Sequence, residues 1–320
     1  MTGAARAETV RIATYNTELS RDGPGLLLRD IAGGKDPQVL AVLDVLLSVR
    51  ADIVYLQGID YDLEGRALAA LAEALTEQGL SYPHRFAAPP NAGRMTMEDL
   101  DGDGKTGGPG DAQGYGRFFG QGAPAILSRY PVGQDDVQDF TDLLWRDLPG
   151  AMMPGTPDDP FPSAEAHAIQ RLSTHGHWVV PIMHPDVGTI HLMTYHASPP
   201  VFDGPEDRNG RRNHDETLFW LHYLDGHFGR PPAEKFTLIG DANLDPVLGD
   251  GRGIAMQRLL ADPRLQDPQP DLATVNWPQT GPMRVDYVLP SSDWTVRDAG
   301  MTAPAPAASR HRLVWVDLAR

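Results

Sequence analysis

Short runs of apolar and β-branched residues recur along this chain, and many of them end on a polar residue. Residues 10–19 alternate and carry β-branched side chains, the pattern of a strand. Further strand-like runs lie at 52–57, 123–128, 177–183, 189–195, 236–240, 284–289, 294–299 and 313–318. Helical spacing appears at 39–49, after the cap and N1 pair Asp36-Pro37, at 64–78 before Gly79, at 214–228 and at 253–261. Strands and helices mix without strict strand–helix–strand alternation. That order favours an α/β sandwich over a doubly wound sheet or a barrel.

The polar residues at the strand ends are of types that carry chemistry. Asn16 and Glu18 are two apart, so on a continuing strand they share one face. His196 follows the run ending at Tyr195, and Asp241 and Asn243 follow 236–240. Asp286 interrupts the run 285–289, and His311 precedes the last strand. An aspartate inside an apolar strand is costly unless paired, and a histidine is its natural partner. Any one of these residues is accounted for by a cap or a satisfied buried group. All of them together need a separate excuse at each position, and one shared site is the simpler account.

Composition narrows the field. The 320 residues carry a net charge of -16, which argues against a protein built to grip long nucleic acid. A small phosphorylated substrate is not excluded, because a basic patch can sit in an acidic protein. With no cysteine there is no disulfide, thiolate site or cysteine nucleophile. No apolar run reaches the length of a membrane span. Residues 1–8 lack the apolar core of a signal peptide, and Ala5-Arg6-Ala7 reads either as a scar or as a cleavage-site remnant. The compartment stays open, with a secreted or periplasmic one slightly favoured over the cytoplasm. Oligomeric state is not legible. Residues 8–320 read as one domain with a Gly-rich loop insertion at about 89–122.

The runs Arg11-Ile12-Ala13-Thr14-Tyr15-Asn16, 51–57 (ADIVYLQ), 125–131 (AILSRYP), Gly240-Asp241-Ala242-Asn243, 284–288 (RVDYV) and Ser309-Arg310-His311-Arg312 match, in order, the motifs of a known superfamily. The chain resembles the endonuclease/exonuclease/phosphatase superfamily, with its deoxyribonuclease-I-like fold, from about residue 10 to residue 318. The resemblance implies a four-layer α/β sandwich of two packed, mainly antiparallel sheets flanked by helices, with the site at one end. It implies that His311 acts on the attacking water or contacts the phosphoryl group, oriented by Asp286. Asp241 and Asn243 would position the nucleophile and stabilise the transition state. His196 would be the second, phosphate-binding histidine or a general acid, and Asn16 the metal-site residue of the first strand. Phosphoryl transfer needs these parts: an in-line water, donors for the equatorial oxygens and charge neutralisation.

Two positions depart from the family pattern. Gly58 stands where a metal-binding glutamate follows Leu-Gln, and Arg310 stands where an aspartate precedes the last histidine. Both changes remove negative charge from the expected site of a divalent cation, whether Mg²⁺, Mn²⁺ or Ca²⁺. The cation is then held differently, with Glu18 or Asp60 supplying the carboxylate; or Arg310 replaces part of its charge; or catalysis is lost. Arg310 is expected to pair with an acidic residue, Glu18 being the candidate, or to contact the substrate phosphate. Returning both carboxylates, by Gly58→Glu with Arg310→Asp, is expected to strengthen dependence on Mg²⁺.

Two loops complete the reading. The basic stretch 206–214 places Arg208, Arg211 and Arg212 near His196 as substrate-phosphate ligands, unless they pair with Asp203, Glu206 and Asp207 as a solvated loop. Asp99, Asp101 and Asp103 fit the start of a calcium loop, D-x-D-x-D-G, although Gly110 stands at its twelfth position and Asp111 follows; a structural Ca²⁺ is expected. The histidines at 167, 175, 177, 184, 191, 222 and 227 show no metal spacing and read as surface or packing residues. The sum is a metal-assisted phosphoester hydrolase, a phosphodiesterase or phosphatase acting on a small or lipid-derived ester. A nuclease and a catalytically silent phosphate-binding protein are the alternatives.

Overall fold

A computed structural model describes residues 9–320; residues 1–8, with Ala5-Arg6-Ala7, lie outside the described residues. In chain order the strands are β1 (Val10–Asn16), β2 (Ile53–Ile59), β3 (His84–Phe86), β4 (Ala123–Ser128), β5 (Gln138–Asp139), β6 (Gly155–Thr156), β7 (Asp159–Pro160), β8 (His177–His184), β9 (Gly188–His196), β10 (Phe236–Asp241), β11 (Val275–Trp277), β12 (Gly281–Met283), β13 (Asp286–Pro290), β14 (Thr295–Met301) and β15 (Val314–Ala319). The helices are α1 (Leu26–Gly33), α2 (Pro37–Val49), α3 (Arg66–Glu77), α4 (Ala164–Ile169), α5 (Arg208–Leu224) and α6 (Ile254–Leu260).

Two sheets form the sandwich. One runs β14-β15-β1-β2-β4-β3 and the other β13-β10-β9-β8-β5. Each holds one parallel pair, β1 with β2 and β10 with β9, and is otherwise antiparallel. Val10, Ile12, Ile53, Tyr55 and Ile126 of the first sheet meet Trp178, Val180, Ile190, Leu192, Ile239 and Val288 of the second in the central core. The period-2 pattern decides this: on β1 Val10 and Ile12 face the other sheet, while Ala13 and Tyr15 face the helical layer of α1, α2 and α3. Helices α5 and α6 cover the far face of the second sheet. The result is the four-layer sandwich. Among the described residues no helix is long and apolar enough to cross a membrane.

Local signals explain most elements. Asp36 caps α2 by accepting from the Val39 amide, with Pro37 at the first helical position. The strand expected at 10–19 stops at Asn16. Thr17 still donates its amide to the Gln57 carbonyl, but Glu18 turns into the left-handed region at φ 50° and ends the pairing. Helix α5 begins at Arg208 rather than 214 and ends at Leu224, so the basic stretch is its first turns and not a loop. The Gly-rich segment 89–122 carries one 3₁₀ turn, Pro109–Asp111, and is tied across itself by bridges of Ala92 with Gly114 and Met95 with Ala112.

Candidate functional site

The register of the second sheet lines up three polar residues. Asp241 at the end of β10 pairs with His196 at the end of β9 and with Asp286 at the start of β13. They form one row across the sheet, at the end where Asn16 closes β1 of the other sheet. The Asn16 amide donates to Asp241 Oδ2 at 2.9 Å and so bridges the two layers. The Asn243 backbone amide donates to Asp241 Oδ1 at 2.8 Å, with Asn243 itself in the left-handed conformation at φ 48°. Its side-chain amide donates to the Ala197 carbonyl. Both oxygens of Asp241 are therefore directed.

His311 is held against this row. Its Nδ1 lies 2.9 Å from Asp286 Oδ2 and 3.9 Å from Asp241 Oδ2, and its ring is buried. The His311 amide donates to Ser309 Oγ, and the Ser309 hydroxyl donates to the Asn16 carbonyl, which locks the last loop to β1. Burial alone would lower the His311 pKa. The carboxylates of Asp286 and Asp241 outweigh it and carry the imidazole up to about 9. Asp241 is pushed up to about 7, first by burial and then by the charge of Asp286. His196 moves the other way, well below its ordinary value, because it is buried and lies near His175 and His311. Its ring stacks on His175 at 3.9 Å, and its Nε2 is 3.6 Å from Asp241 Oδ2. At neutral pH the site thus pairs a charged histidine with an uncharged one.

Arg310 meets Glu18, as the sequence led one to expect. Its Nε donates to Glu18 Oε1 at 2.8 Å, its Nη2 contacts the same oxygen, and its backbone amide donates to Oε2 at 2.8 Å. The guanidinium also lies over the Trp277 ring, 4.5 Å from its centroid, while His311 packs edge-on against the same ring. Burial pushes the Glu18 carboxyl up, but the side-chain and backbone bonds from Arg310 outweigh it and hold it below the usual range. Position 58 is closed. Gly58 has φ 73°, and a Cβ there would meet the Glu18 amide nitrogen at 2.8 Å and Asn16 Oδ1 at 2.9 Å. The carboxylate missing at 58 therefore leaves no space behind it, and Gly58→Glu is not the simple restoration the sequence suggested.

Other expected ligands fall elsewhere. Asp60 does not continue the face of β2, because the pairing of β2 with β4 shifts register between Leu56 and Ile59. Its carboxylate accepts from the amides of Arg21 and Gly122, and burial raises it to about 6. Arg212 is buried and donates to the carbonyls of Gln113, Arg171, Leu172 and Ser173, so it clamps loops instead of facing a substrate. Arg208 is buried too, its guanidinium against the Gln170 side-chain amide. Arg211 donates to the Glu206 carbonyl. Arg211 and Arg212 lie three and four positions after Arg208 on α5 and so share a side of the helix with it, but two of the three are buried against loops and Arg211 is tied to its own N-terminal turn, which leaves no arginine patch for a substrate. Asp99, Asp101 and Asp103 do converge, with ligand oxygens within 4.8 Å of one another. Sequence reasoning passed over His175 and Trp277. Their signal is long-range packing, since Trp277 reaches the site on the hairpin of β11 and β12, whose Val275 bridges His311.

The profile of the Endonuclease/Exonuclease/phosphatase family matches residues 13–311. No curated protein matches the chain. Among solved structures, an endonuclease/exonuclease/phosphatase from Beutenbergia cavernae is 19% identical with a TM-score of 0.58, over 98% of this chain and 72% of that one. Sphingomyelinase C from Streptomyces griseocarneus is 18% identical with a TM-score of 0.52, over 98% of this chain and 100% of the other. The human Nocturnin catalytic domain is 13% identical with a TM-score of 0.53, over 97% and 94%. At these identities the likeness is one of fold.

Proposed function

This chain belongs to the endonuclease/exonuclease/phosphatase family, and from its site we propose that it hydrolyses a small phosphoester by in-line attack of water. The observation that carries this reading is the directed row His196–Asp241–Asp286 with His311 bound to its end. Asp241, raised toward neutrality and fixed by Asn16 and Asn243, accepts the proton of the attacking water. His311, kept charged by Asp286, donates to a phosphoryl oxygen and offsets the charge that develops there. His196 serves as a neutral partner of the phosphoryl group; its depressed pKa speaks against a role as general acid.

Members of the family typically use divalent cations, and Asp241, Asp286 and His311 have ligand atoms within 4.8 Å of one another. The residues here do not fit such an ion. Both oxygens of Glu18 are taken by Arg310, position 58 has no room for a carboxylate, and Asp60 is held by backbone amides elsewhere. A His311 that stays protonated up to about 9 has no free lone pair on Nδ1.

Release of nitrophenol from mono- and diester substrates, beside plasmid nicking, with Mg²⁺, Mn²⁺, Ca²⁺ or EDTA tests the reading. Ester turnover without nicking is the expected result. Nicking instead of turnover means a nuclease, and neither means a binding protein. The pH profile of turnover is expected to be a bell, rising as Asp241 loses its proton near 7 and falling as His311 loses its proton near 9. A rate that stays flat from pH 6 to 10 would remove both assignments.

The acidic loop has a separate, structural role in this proposal. Asp99, Asp101 and Asp103 bring three carboxylates together, and burial and its neighbours raise the Asp101 pKa. Ca²⁺ bound there would relieve that repulsion and stabilise the folded state by linkage. Calcium is expected to raise the melting temperature by several degrees, and Asp101→Asn to abolish the gain. A melting temperature that ignores a millimolar titration rules the site out.

A further inference from the structure

We propose that Arg310 takes the place of the divalent cation, its guanidinium holding the phosphoryl oxygens so that phosphate binds at this site without a metal ion. The inference rests on the reading that the ligand is a phosphoester. Arg310 is fixed on three sides. Glu18 takes the Nε and Nη2 edge and the backbone amide, and the Trp277 ring lies beneath the guanidinium. Among the described residues Nη1 has no hydrogen-bond partner, and the side chain is 56% exposed. The free end of a planar guanidinium offers paired N–H groups at the spacing of phosphoryl oxygens.

The surroundings favour an anion there over a cation. His311 follows Arg310 in sequence and packs edge-on against the tryptophan that lies under the guanidinium, so the imidazole and the guanidinium share one ring at the end of the row. A divalent ion beside the guanidinium would be repelled by it, and the carboxylate that Arg310 contacts, Glu18, is already neutralised. The chain Arg310–Glu18–Asn16–Asp241 is continuous, because the Glu18 amide donates to Asn16 Oδ1 and the Asn16 side chain donates to Asp241. The guanidinium proposed to hold the phosphoryl group is thus tied, through Glu18 and Asn16, to the carboxylate that takes the water's proton. Glu18 has two effects in this arrangement: it orients the guanidinium, and it competes with the incoming anion.

The test is calorimetric titration of the full-length protein with inorganic phosphate, in EDTA and again in millimolar Mg²⁺, for wild type, Arg310→Gln, Arg310→Lys and Glu18→Gln. Wild type is expected to bind in EDTA, with affinity changed less than about twofold by Mg²⁺. Arg310→Gln should weaken binding about tenfold or more, and Arg310→Lys less, because it keeps the charge and loses the fork. Glu18→Gln should tighten binding severalfold by removing the competitor. If Glu18 were a metal ligand, that variant would weaken binding in Mg²⁺ and leave the EDTA titration unchanged. Binding that appears only with Mg²⁺, or that survives Arg310→Gln at wild-type strength, overturns the inference. Nitrophenyl phosphate turnover in the same samples separates the two readings. Turnover and phosphate binding that both need Mg²⁺ leave the hydrolase standing without this inference. Phosphate binding in EDTA with no turnover under any condition does the reverse.

Discussion

Asp241→Asn and His311→Gln are each expected to reduce phosphoester hydrolysis about a hundredfold or more, the usual scale for losing an acid–base or charge-bearing group. Asp241→Asn keeps the shape of the side chain and the acceptor for the Asn243 amide but loses the bond from the Asn16 side chain, so its fold is checked by denaturation beside the rate. It removes the group that takes the water's proton, and with it the lower limb of the pH profile. His311→Gln removes the charge while keeping a polar group beside Asp286. His311→Ala should cost as much activity but also stability, because it leaves the buried Asp286 carboxylate without its partner. Comparing the Gln and Ala variants by denaturation and by rate separates the two effects. Activity within a few-fold of wild type in both Asp241→Asn and His311→Gln would end the assignment of this row.

Arg212→Met is expected to destabilise the fold by about 4 kcal/mol or more, since a buried cation and the donors to several carbonyls vanish together. The guanidinium ties Gln113 to the stretch Arg171, Leu172 and Ser173, which joins the Gly-rich segment to the strand leading out of His175. It is also the opposite charge for Glu216, which burial raises to about 7 and which accepts from the amides of Thr174 and Ser198 on either side of His196. Methionine keeps the aliphatic stem and satisfies none of these groups. Arg211→Met, by contrast, loses one bond to the Glu206 carbonyl and should change stability by less than about 1 kcal/mol. Denaturant midpoints decide between a clamp and a substrate ligand. A substrate ligand would leave the midpoint in place and raise KM, and that outcome would return Arg212 to the role its sequence suggested.

The two arginines show how far the sequence could be read. Arg310 was legible because it breaks a motif, and its partner could be named because Glu18 was the nearest spare carboxylate at the end of the first strand. Arg212 was misread because a cluster of like charges near a candidate histidine resembles a patch until its secondary structure is known. Once α5 starts at Arg208, the helix sends Arg212 inward.

The sequence by itself determined the α/β sandwich class and the residues of the row, and its resemblance to the family implied the layers. Period-2 apolar runs commit each strand to two faces, and a polar residue that ends or interrupts such a run can be read locally, as His196 and Asp241 were at an end and Asp286 within a run. Tertiary structure alone decided what those residues meet. The Trp277 ring reaches the Arg310 guanidinium from the hairpin of β11 and β12. The closure at Gly58 depends on a left-handed turn beside Asn16, and the shift in β2 that directs Asp60 away depends on its pairing with β4. Each of these is a competition among side chains and backbone for the same few ångströms. Its outcome is set by which groups the fold brings together, and no local pattern in the chain records it.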